Sequence, residues 1–374
     1  MAGGLGSRFW PISRTDNPKQ FVDVVGVGRS MLQLTFERFE RLCPREHIVI
    51  VTGEAYVDHV REQLPDLLPY QVLAEPLRRN TAPCVAYAAS VIGQMDPEAV
   101  IIVTPSDHAV FHREKFVADM QQALATVQEH DWIITLGVQP TRPDSSYGYI
   151  QIRRPAKPAV GSGQCVVDST GEQVLHTTQY TPPTNLFKVV TFTEKPPVDM
   201  ARQMIASGEF FWNAGIFVWT LPVLRKAYQT YLPAIADSFF TLGPDTPHDE
   251  LERIYSLCES VSIDNGIMEN ASNVHVLTAS FAWSDVETWE SLYDVSRHDR
   301  NGNALFGADV FTYNTRNCLV VMPADQDKTV ILEGLDGYIV AANEDTLMVC
   351  RRKNEEMVFR FASDVELKKL IDKK

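Results

Sequence analysis

Met1-Ala2-Gly3-Gly4-Leu5-Gly6-Ser7-Arg8-Phe9-Trp10-Pro11-Ile12-Ser13-Arg14-Thr15-Asp16-Asn17-Pro18-Lys19-Gln20-Phe21 sets a glycine loop beside two arginines and a lysine, and its reading decides what the rest of the chain must be. Gly3, Gly4 and Gly6 carry no Cβ, so a phosphate or a base can approach bare backbone whose N–H groups act as anion donors. Arg8, Arg14 and Lys19 add fixed positive charge against a single acid, Asp16, in a chain of net charge −14. Local charge opposes global charge, as an anion site in an acidic protein requires. The run is not a P-loop, because the GxxxxGK[ST] spacing is absent, and no third glycine stands in register for a dinucleotide fingerprint.

Working outward, the 374 residues, 45% hydrophobic and 22% charged, have the make-up of a soluble globular protein with room for one large domain and a smaller one. The longest apolar runs, such as Val100-Ile101-Ile102-Val103, have strand length and fall far short of a bilayer span, and no signal-peptide pattern stands at the front. A cytoplasmic protein without a membrane partner is expected. Cys43, Cys84, Cys165, Cys258, Cys318 and Cys350 are scattered without CxxC or Cys/His pairing, which fits reduced thiols rather than zinc or disulfides. The acidic balance, with no basic stripe beyond the first segment, argues against a nucleic-acid partner.

From 46 to 136, short β-rich runs (47–51, 71–74, 100–104, 132–136) alternate with amphipathic helical stretches (55–63, 82–94, 113–129). That alternation predicts an α/β, Rossmann-like domain with a mainly parallel central sheet, whose ligands sit beyond the carboxyl ends of the strands. After 138 the pattern loosens into hairpins and proline-rich turns at 141–143 and 181–183, read as a subdomain of its own. A break at 297–303 divides the chain into residues 1–296 and 297–374. From 304 to 360 short strands follow one another (310–313, 319–322, 330–333, 337–342, 347–351), and a helix at 363–371 closes the series. A small β-helix-like or β-roll domain is expected, its exposed edge strands leaving room for a homodimer.

The first segment resembles the loop of the sugar-nucleotide pyrophosphorylases, a sugar nucleotidyltransferase family, written GGxGxRxxPxSRxxxPKQF in the mannose-1-phosphate guanylyltransferase branch. Every fixed position of that pattern is filled, and the resemblance runs over about residues 1–350, weakening toward the carboxyl end. It implies GTP and mannose 1-phosphate as substrates, with Arg8 and Lys19 as catalytic cations on the leaving pyrophosphate. Such loops follow a buried strand, for which relatives have roughly eight more residues upstream. Here a central first strand is therefore expected to be lacking and the cradle poorly held. Some relatives carry an appended isomerase barrel; no isomerase activity is expected of this chain.

Asp107 in Thr104-Pro105-Ser106-Asp107-His108 directly follows an apolar run and so emerges at a strand end, where a helix cap or a magnesium ligand are both at home. Asp285 in Trp283-Ser284-Asp285-Val286 supplies a second acid. Mg2+ takes one or two carboxylates and completes its shell with phosphate oxygens, and the resemblance gives this ion to the same two motifs. Glu75, Asn80 and Thr81, in the EPxxRNTAP segment, read either as helix capping or, by resemblance, as nucleotide-binding residues over the base. Tyr147 and Gly148 (GYGYI, with Ser146 replacing the first glycine and stiffening the turn), Glu194 and Lys195 (EKP), and Asn213 (WNxGxF) match sugar-side motifs in order. They imply acceptors and donors for hexose hydroxyls and a lysine for the sugar phosphate. Asp264, in an SIDxxxME-like segment, either caps the helix that follows or lines the sugar pocket. Another sugar-1-phosphate nucleotidylyltransferase, of heptose or glucose type, and a non-catalytic sugar-nucleotide-binding subunit stay open as alternatives.

Overall fold

Two strands from the amino-terminal part, β1 (Ile50–Gly53) and β2 (Val72–Glu75), pair in parallel in the computed structural model, which describes residues 1–4, 7–153, 185–307, 309–322 and 329–372. A second, larger sheet is built from β3 (Val100–Val103), β5 (Ile133–Val138), β6 (Tyr149–Ile152), β7 (Leu186–Thr193), β8 (Phe210–Thr220) and β9 (Val274–Thr278), in the order β3-β8-β5-β9-β7-β6 with β6 also pairing β8. Between them in sequence, β4 (Ala109–Phe111) leaves this sheet and forms an antiparallel ribbon with β10 (Ala282–Ser284).

The expected alternation is present, and the strand directions refine it. β3 and β5 run the same way, because each is antiparallel to β8, and β9 is parallel to β5. The large sheet is mixed rather than mainly parallel, since the long β8 inserts between β3 and β5. Its side chains show the two-residue period of a strand covered on both faces. Phe217 and Trp219 point into a core shared with the helices Thr81–Met95 and Leu221–Tyr231, while Ile216 and Val218 point into another shared with Phe116, Met120 and Val127 of the helix Arg113–Glu129.

Among the described residues β1 pairs only with β2, and β3 only with β8. Met1 and Ala2 bridge the two sheets: the Met1 ammonium donates to the Thr104 carbonyl at 2.9 Å, the Ala2 N–H to Val51 at 2.7 Å, and the Ser106 N–H to the Met1 carbonyl at 2.9 Å. Beside this bridge lies an apolar cleft of about 550 Å³ lined by Val51, Val85, Ile92, Ile101, Val103 and Leu124.

The carboxyl-terminal strands are β11 (Ala304–Phe306), β12 (Val310–Tyr313), β13 (Leu319–Val321), β14 (Val330–Glu333), β15 (Tyr338–Ala342) and β16 (Leu347–Arg351). β11, β13 and β15 stack in parallel, with β16 antiparallel at the end, and β12 stacks on β14, the β-helix-like arrangement read from the sequence. Cys318, Val320 and Val340 fill the space between the two stacks. Leu319, Val321, Ile339 and Ala341 point the other way, into a core with Phe9, Trp10, Met31 and Trp289. The final helix, Val358–Asp372, joins that core through Val358, Phe361 and Val365 and so packs on the amino-terminal loop. No helix of the described residues is long and apolar enough to cross a membrane. The described cysteines Cys43, Cys84, Cys258, Cys318 and Cys350 are free, whereas Cys165 and the turn expected at 181–183 lie outside the described residues.

Candidate active site

The glycine loop is fixed from inside the fold. Gln20 is buried, and its side-chain amide donates to the carbonyls of Ala2 and Gly4, each at 2.9 Å; the Thr52 hydroxyl adds a second donor to Ala2 at 2.9 Å. A trans peptide turns its N–H opposite to its carbonyl, so the Gly3 N–H faces away from Gln20. Gly4 has open space where a side chain would stand, and Gly6 lies outside the described residues. Phe9 packs edge-on against Trp289 at 4.9 Å, and the Asn343 side chain donates to the Pro11 carbonyl at 2.7 Å. The cradle expected to be loosely held is thus tied down at several points by side chains remote in sequence.

The cations of the loop separate. Arg8 is exposed and forms an ion pair with Glu287. Arg14 turns away from the cradle: it pairs with Asp345 and donates to the Thr346 hydroxyl at 3.3 Å, while Lys369 lies 2.8 Å from the same Asp345. Its charge was counted toward the anion site and belongs instead to the contact with the carboxyl-terminal strands. Lys19 is 3% exposed; its ammonium lies 2.9 Å from Asp107 and donates to the carbonyls of Asp285 at 2.7 Å and Val286 at 3.1 Å.

The β4–β10 ribbon explains how two aspartates so far apart in sequence meet. Ala109 pairs with Ser284, so Asp107, just before β4, and Asp285, just after β10, emerge at the same end. The Asp285 carboxylate accepts from the Tyr147 hydroxyl at 2.9 Å and the Glu287 N–H at 3.2 Å; burial, and then the neighbouring Glu287, push its pKa up to about 6. Burial is the largest single influence on Asp107 and works against its charge, but the Lys19 ammonium, His108 and hydrogen bonding together hold that carboxyl below its usual range. His108 is pushed down to about 4 by burial and accepts from the Trp283 indole at 3.3 Å, so it is neutral at pH 7. Two carboxylates are hard-oxygen donors that suit Mg2+, with phosphate and water supplying the rest of its shell. Among the described residues no group of three His, Cys, Asp or Glu side chains forms a complete metal site.

On the sugar side, strand register assembles the motifs. Tyr149 pairs with both Thr193 and Trp212, which sets Gly148, Glu194 and Asn213, each one residue along, side by side. A Cβ on Gly148 would stand 2.7 Å from Glu194 Oε2, so only glycine lets that carboxylate lie where it does. Asn213 donates to Asp264 at 2.8 Å and accepts from the Thr135 hydroxyl at 3.2 Å and the Gly215 N–H at 3.0 Å. Asp264 opens the helical turn Asp264–Met268 as its first residue, not its cap; burial, and then Glu194, raise its pKa to about 6. Lys195, at φ +45°, lies 3.4 Å from Glu194. The Ser146 N–H and hydroxyl both donate to Asp144, at 2.9 and 2.5 Å.

Glu75 ends β2 with 9% exposure, accepts from the Tyr255 hydroxyl at 3.1 Å, and is pushed by burial to about 7. Gly3 lies against it: a Cβ there would be 3.7 Å from Oε2. Asn80, at φ +69°, caps the helix Thr81–Met95 through the Thr81 N–H at 2.9 Å, and the Thr81 hydroxyl accepts from Ile263 at 2.8 Å. Asn80 is thus the cap of that helix and Thr81 its first residue, tied to the 262–268 segment, while Glu75 is the group of this segment that faces the loop. Gln20, Tyr255 and Glu287 were not singled out in the sequence. Gln20 and Glu287 adjoin residues that were, and that adjacency was the available signal; Tyr255 had none.

Residues 1–302 match the family model described as Nucleotidyl transferase. The chain is 30% identical over 358 residues to a mannose-1-phosphate guanylyltransferase of Salmonella muenchen, covering 93% of this chain and 69% of that protein. It is 31% identical over 376 residues to a mannose-1-phosphate guanylyltransferase of Escherichia coli strain K12, covering 98% and 72%. A crystal structure from Thermus thermophilus, named mannose-1-phosphate geranyltransferase, superposes with a TM-score of 0.81 at 26% identity over 98% of each chain. The chain belongs to the nucleotidyl transferase family.

Proposed function

We propose that this protein transfers GMP from GTP to mannose 1-phosphate, giving GDP-mannose and pyrophosphate. One observation carries the reading: Tyr147 and Gly148 are consecutive, and the first bonds Asp285 while the second lies against Glu194, so the acid pair and the sugar-side cluster share one site. The named relatives agree with the substrate pair.

In the reaction a phosphate oxygen of mannose 1-phosphate attacks the α-phosphorus of GTP in line. The new O–P bond forms as the bond to the bridging oxygen breaks, and pyrophosphate leaves with the electron pair. The attacking phosphate is already anionic, so no side chain has to act as nucleophile or base; the protein's task is positioning and charge neutralisation. Glu194, Asn213 and Asp264 offer acceptors and a donor for the hexose hydroxyls, and Lys195 a cation for its phosphate. Arg8, the exposed cation of the loop, exchanges Glu287 for the leaving pyrophosphate. Glu75, facing Gly3, is the carboxylate available to the base. Asp107 and Asp285 would hold Mg2+, which when bound supplies positive charge to the phosphates.

The test is a pyrophosphate-release assay crossing four nucleoside triphosphates with several hexose 1-phosphates in the presence of Mg2+. Preference for GTP with mannose 1-phosphate is expected, and Arg8→Ala lowers turnover by about 100-fold or more with little change in sugar KM. Preference for another base or sugar would move the protein to a sister activity, and no release with any pair would favour a binding subunit. Two further readings go with this one: a cytoplasmic location, and a homodimer through the outer face of β12 and β14, where Phe311 and Ile331 lie side by side and exposed. Sedimentation of an Ile331→Glu variant checks the second.

A further inference from the structure

Arg8 and Glu287 are 279 residues apart in sequence, and the backbone beside each of them is anchored. Phe9, next to Arg8, is fully buried and packs on Trp289, two residues past Glu287. The Phe9 carbonyl accepts from the N–H groups of Ile12 and Ser13 at 2.8 and 3.1 Å, which closes the turn just beyond Arg8. On the other side the Glu287 N–H is bonded to the Asp285 carboxylate, and Thr288 caps the helix Trp289–Val295, its hydroxyl accepting from the Ser291 N–H at 3.1 Å. Two fixed stretches of backbone therefore bring this guanidinium and this carboxylate together. The pair itself is open to exchange, since the Arg8 side chain is 60% exposed and that of Glu287 37%, and an ion pair in contact with water is weak. A phosphate reaching Arg8 meets a cation whose charge is already balanced, beside a carboxylate that repels it.

We infer that Glu287 is a built-in competitor for Arg8: it lowers the affinity of the site for GTP and for pyrophosphate, and leaves that for a nucleoside monophosphate unchanged. The inference rests on the reading of Arg8 as the cation of the leaving pyrophosphate. Apparent affinity is reduced by the fraction of molecules in which the cation is free. For a pair of the strength usual at a surface, that reduction is about two- to sixfold. The same contact has a consequence for release. Pyrophosphate leaves a cation that has an internal anion to return to, so the carboxylate that weakens binding also favours departure.

The test is equilibrium binding of inorganic pyrophosphate, GTP and GMP by calorimetry, in EDTA so that no metal at Asp285 enters the comparison. Glu287→Gln is expected to bind pyrophosphate and GTP about two- to sixfold more tightly than the wild type, to bind GMP unchanged, and to lose its advantage at high salt. Glu287→Ala should show the same gain, because loss of the carboxylate is its cause. Arg8→Ala should weaken pyrophosphate binding, and Glu287→Gln added to Arg8→Ala should change nothing further, since the two residues act through one contact. If Arg8→Ala weakens pyrophosphate binding while both Glu287 variants bind it no better than the wild type, the inference is overturned and the reading of Arg8 stands. If Arg8→Ala binds pyrophosphate as the wild type does, that reading falls and the inference with it. An equal gain for GMP, or a gain that survives in the Arg8→Ala background, would also overturn it, because general relief of negative charge in the cleft would then be the cause.

Discussion

On one side of the site Gly148, Glu194 and Asn213 are fixed by the pairing of β6, β7 and β8; on the other, the loop from Met1 to Phe21 is fixed largely by side chains reaching it from Gln20, Thr52, Asn343 and Asp345. The first kind of placement is collective. Strand register moves as a unit, so no single polar contact there can be loosened without the sheet, and the weak point is the spot where two chains pack too closely for a Cβ. The second kind is a set of separate contacts, each removable on its own and each worth little. The sugar side should therefore fail sharply at one glycine, and the loop side gradually.

The sharpest way to break the comparison is Gly148→Ala. The added methyl meets the Glu194 carboxylate at 2.7 Å, well inside contact distance, and Asn213 Cβ at 3.5 Å blocks relief in that direction. The oxygen that must move is the far end of a flexible, partly exposed side chain, so the fold loses little, but that carboxylate is itself a proposed ligand of the hexose. We expect the KM for mannose 1-phosphate to rise by about 100-fold, with the KM for GTP within threefold. A variant with ordinary sugar KM would show that Glu194 does not need its present position.

Glu75 sharpens the comparison on the loop side. Burial raises its carboxyl from the ordinary 4.5 to about 7, so between those values the folded protein holds a proton that the unfolded chain has released. The native state then binds more protons, and stability falls as pH rises through this window. Ionised Glu75 is a net cost above pH 7 that is absent below about 4.5. Glu75→Gln should accordingly stabilise the protein by about 2 kcal/mol at pH 8, and by much less at pH 5, in denaturant titrations at the two pH values. An equal gain at both would mean that Tyr255 and the amino-terminal ammonium compensate the charge fully.

What could be read in the sequence follows the same division. The strands 310–313 and 330–333 and the short motifs around Asp107 and Asp285 are local patterns, and each strand has its counterpart in the structure, while the two aspartates are brought to one end only by the β4–β10 ribbon. The common direction of β1 with β2 and of β3 with β5 was legible too, because alternation of apolar runs with helices implies crossover connections, but the mixed character of the large sheet was not. Strand order was not: nothing in residues 100–136 says that Phe210–Thr220 will insert between β3 and β5. The charge of the loop was misjudged for the same reason. Arg14 meets Asp345, 331 residues later, and a count of cations within one segment cannot see a partner at that distance. Gly148 is legible as part of a motif, but the need for a glycine is set by Glu194, which only the register brings to it.

The smallest effect concerns that Arg14 contact. Asp345 holds both Arg14 and Lys369 at the surface, and the three groups are partly exposed, so each pair contributes in the range of about 0.2–1 kcal/mol. If the contact serves only to hold the loop, Asp345→Ala raises the KM for GTP by about 3- to 10-fold, leaves that for mannose 1-phosphate within twofold, and loses its effect at high salt. Arg14→Ala alone should reproduce most of this, and the double variant should be no worse than either single one, because both remove the same tie. The sign is informative as well. An Arg14 released from Asp345 lies in a segment that carries the glycine cradle, and should it swing to the triphosphate, the KM for GTP in Asp345→Ala would fall instead of rising. A fall abolished by adding Arg14→Ala would mean that the carboxyl-terminal strands restrain a cation of the loop rather than brace the loop itself, and the contrast between a register-built side and a side-chain-built side would then have to include a charge held in reserve.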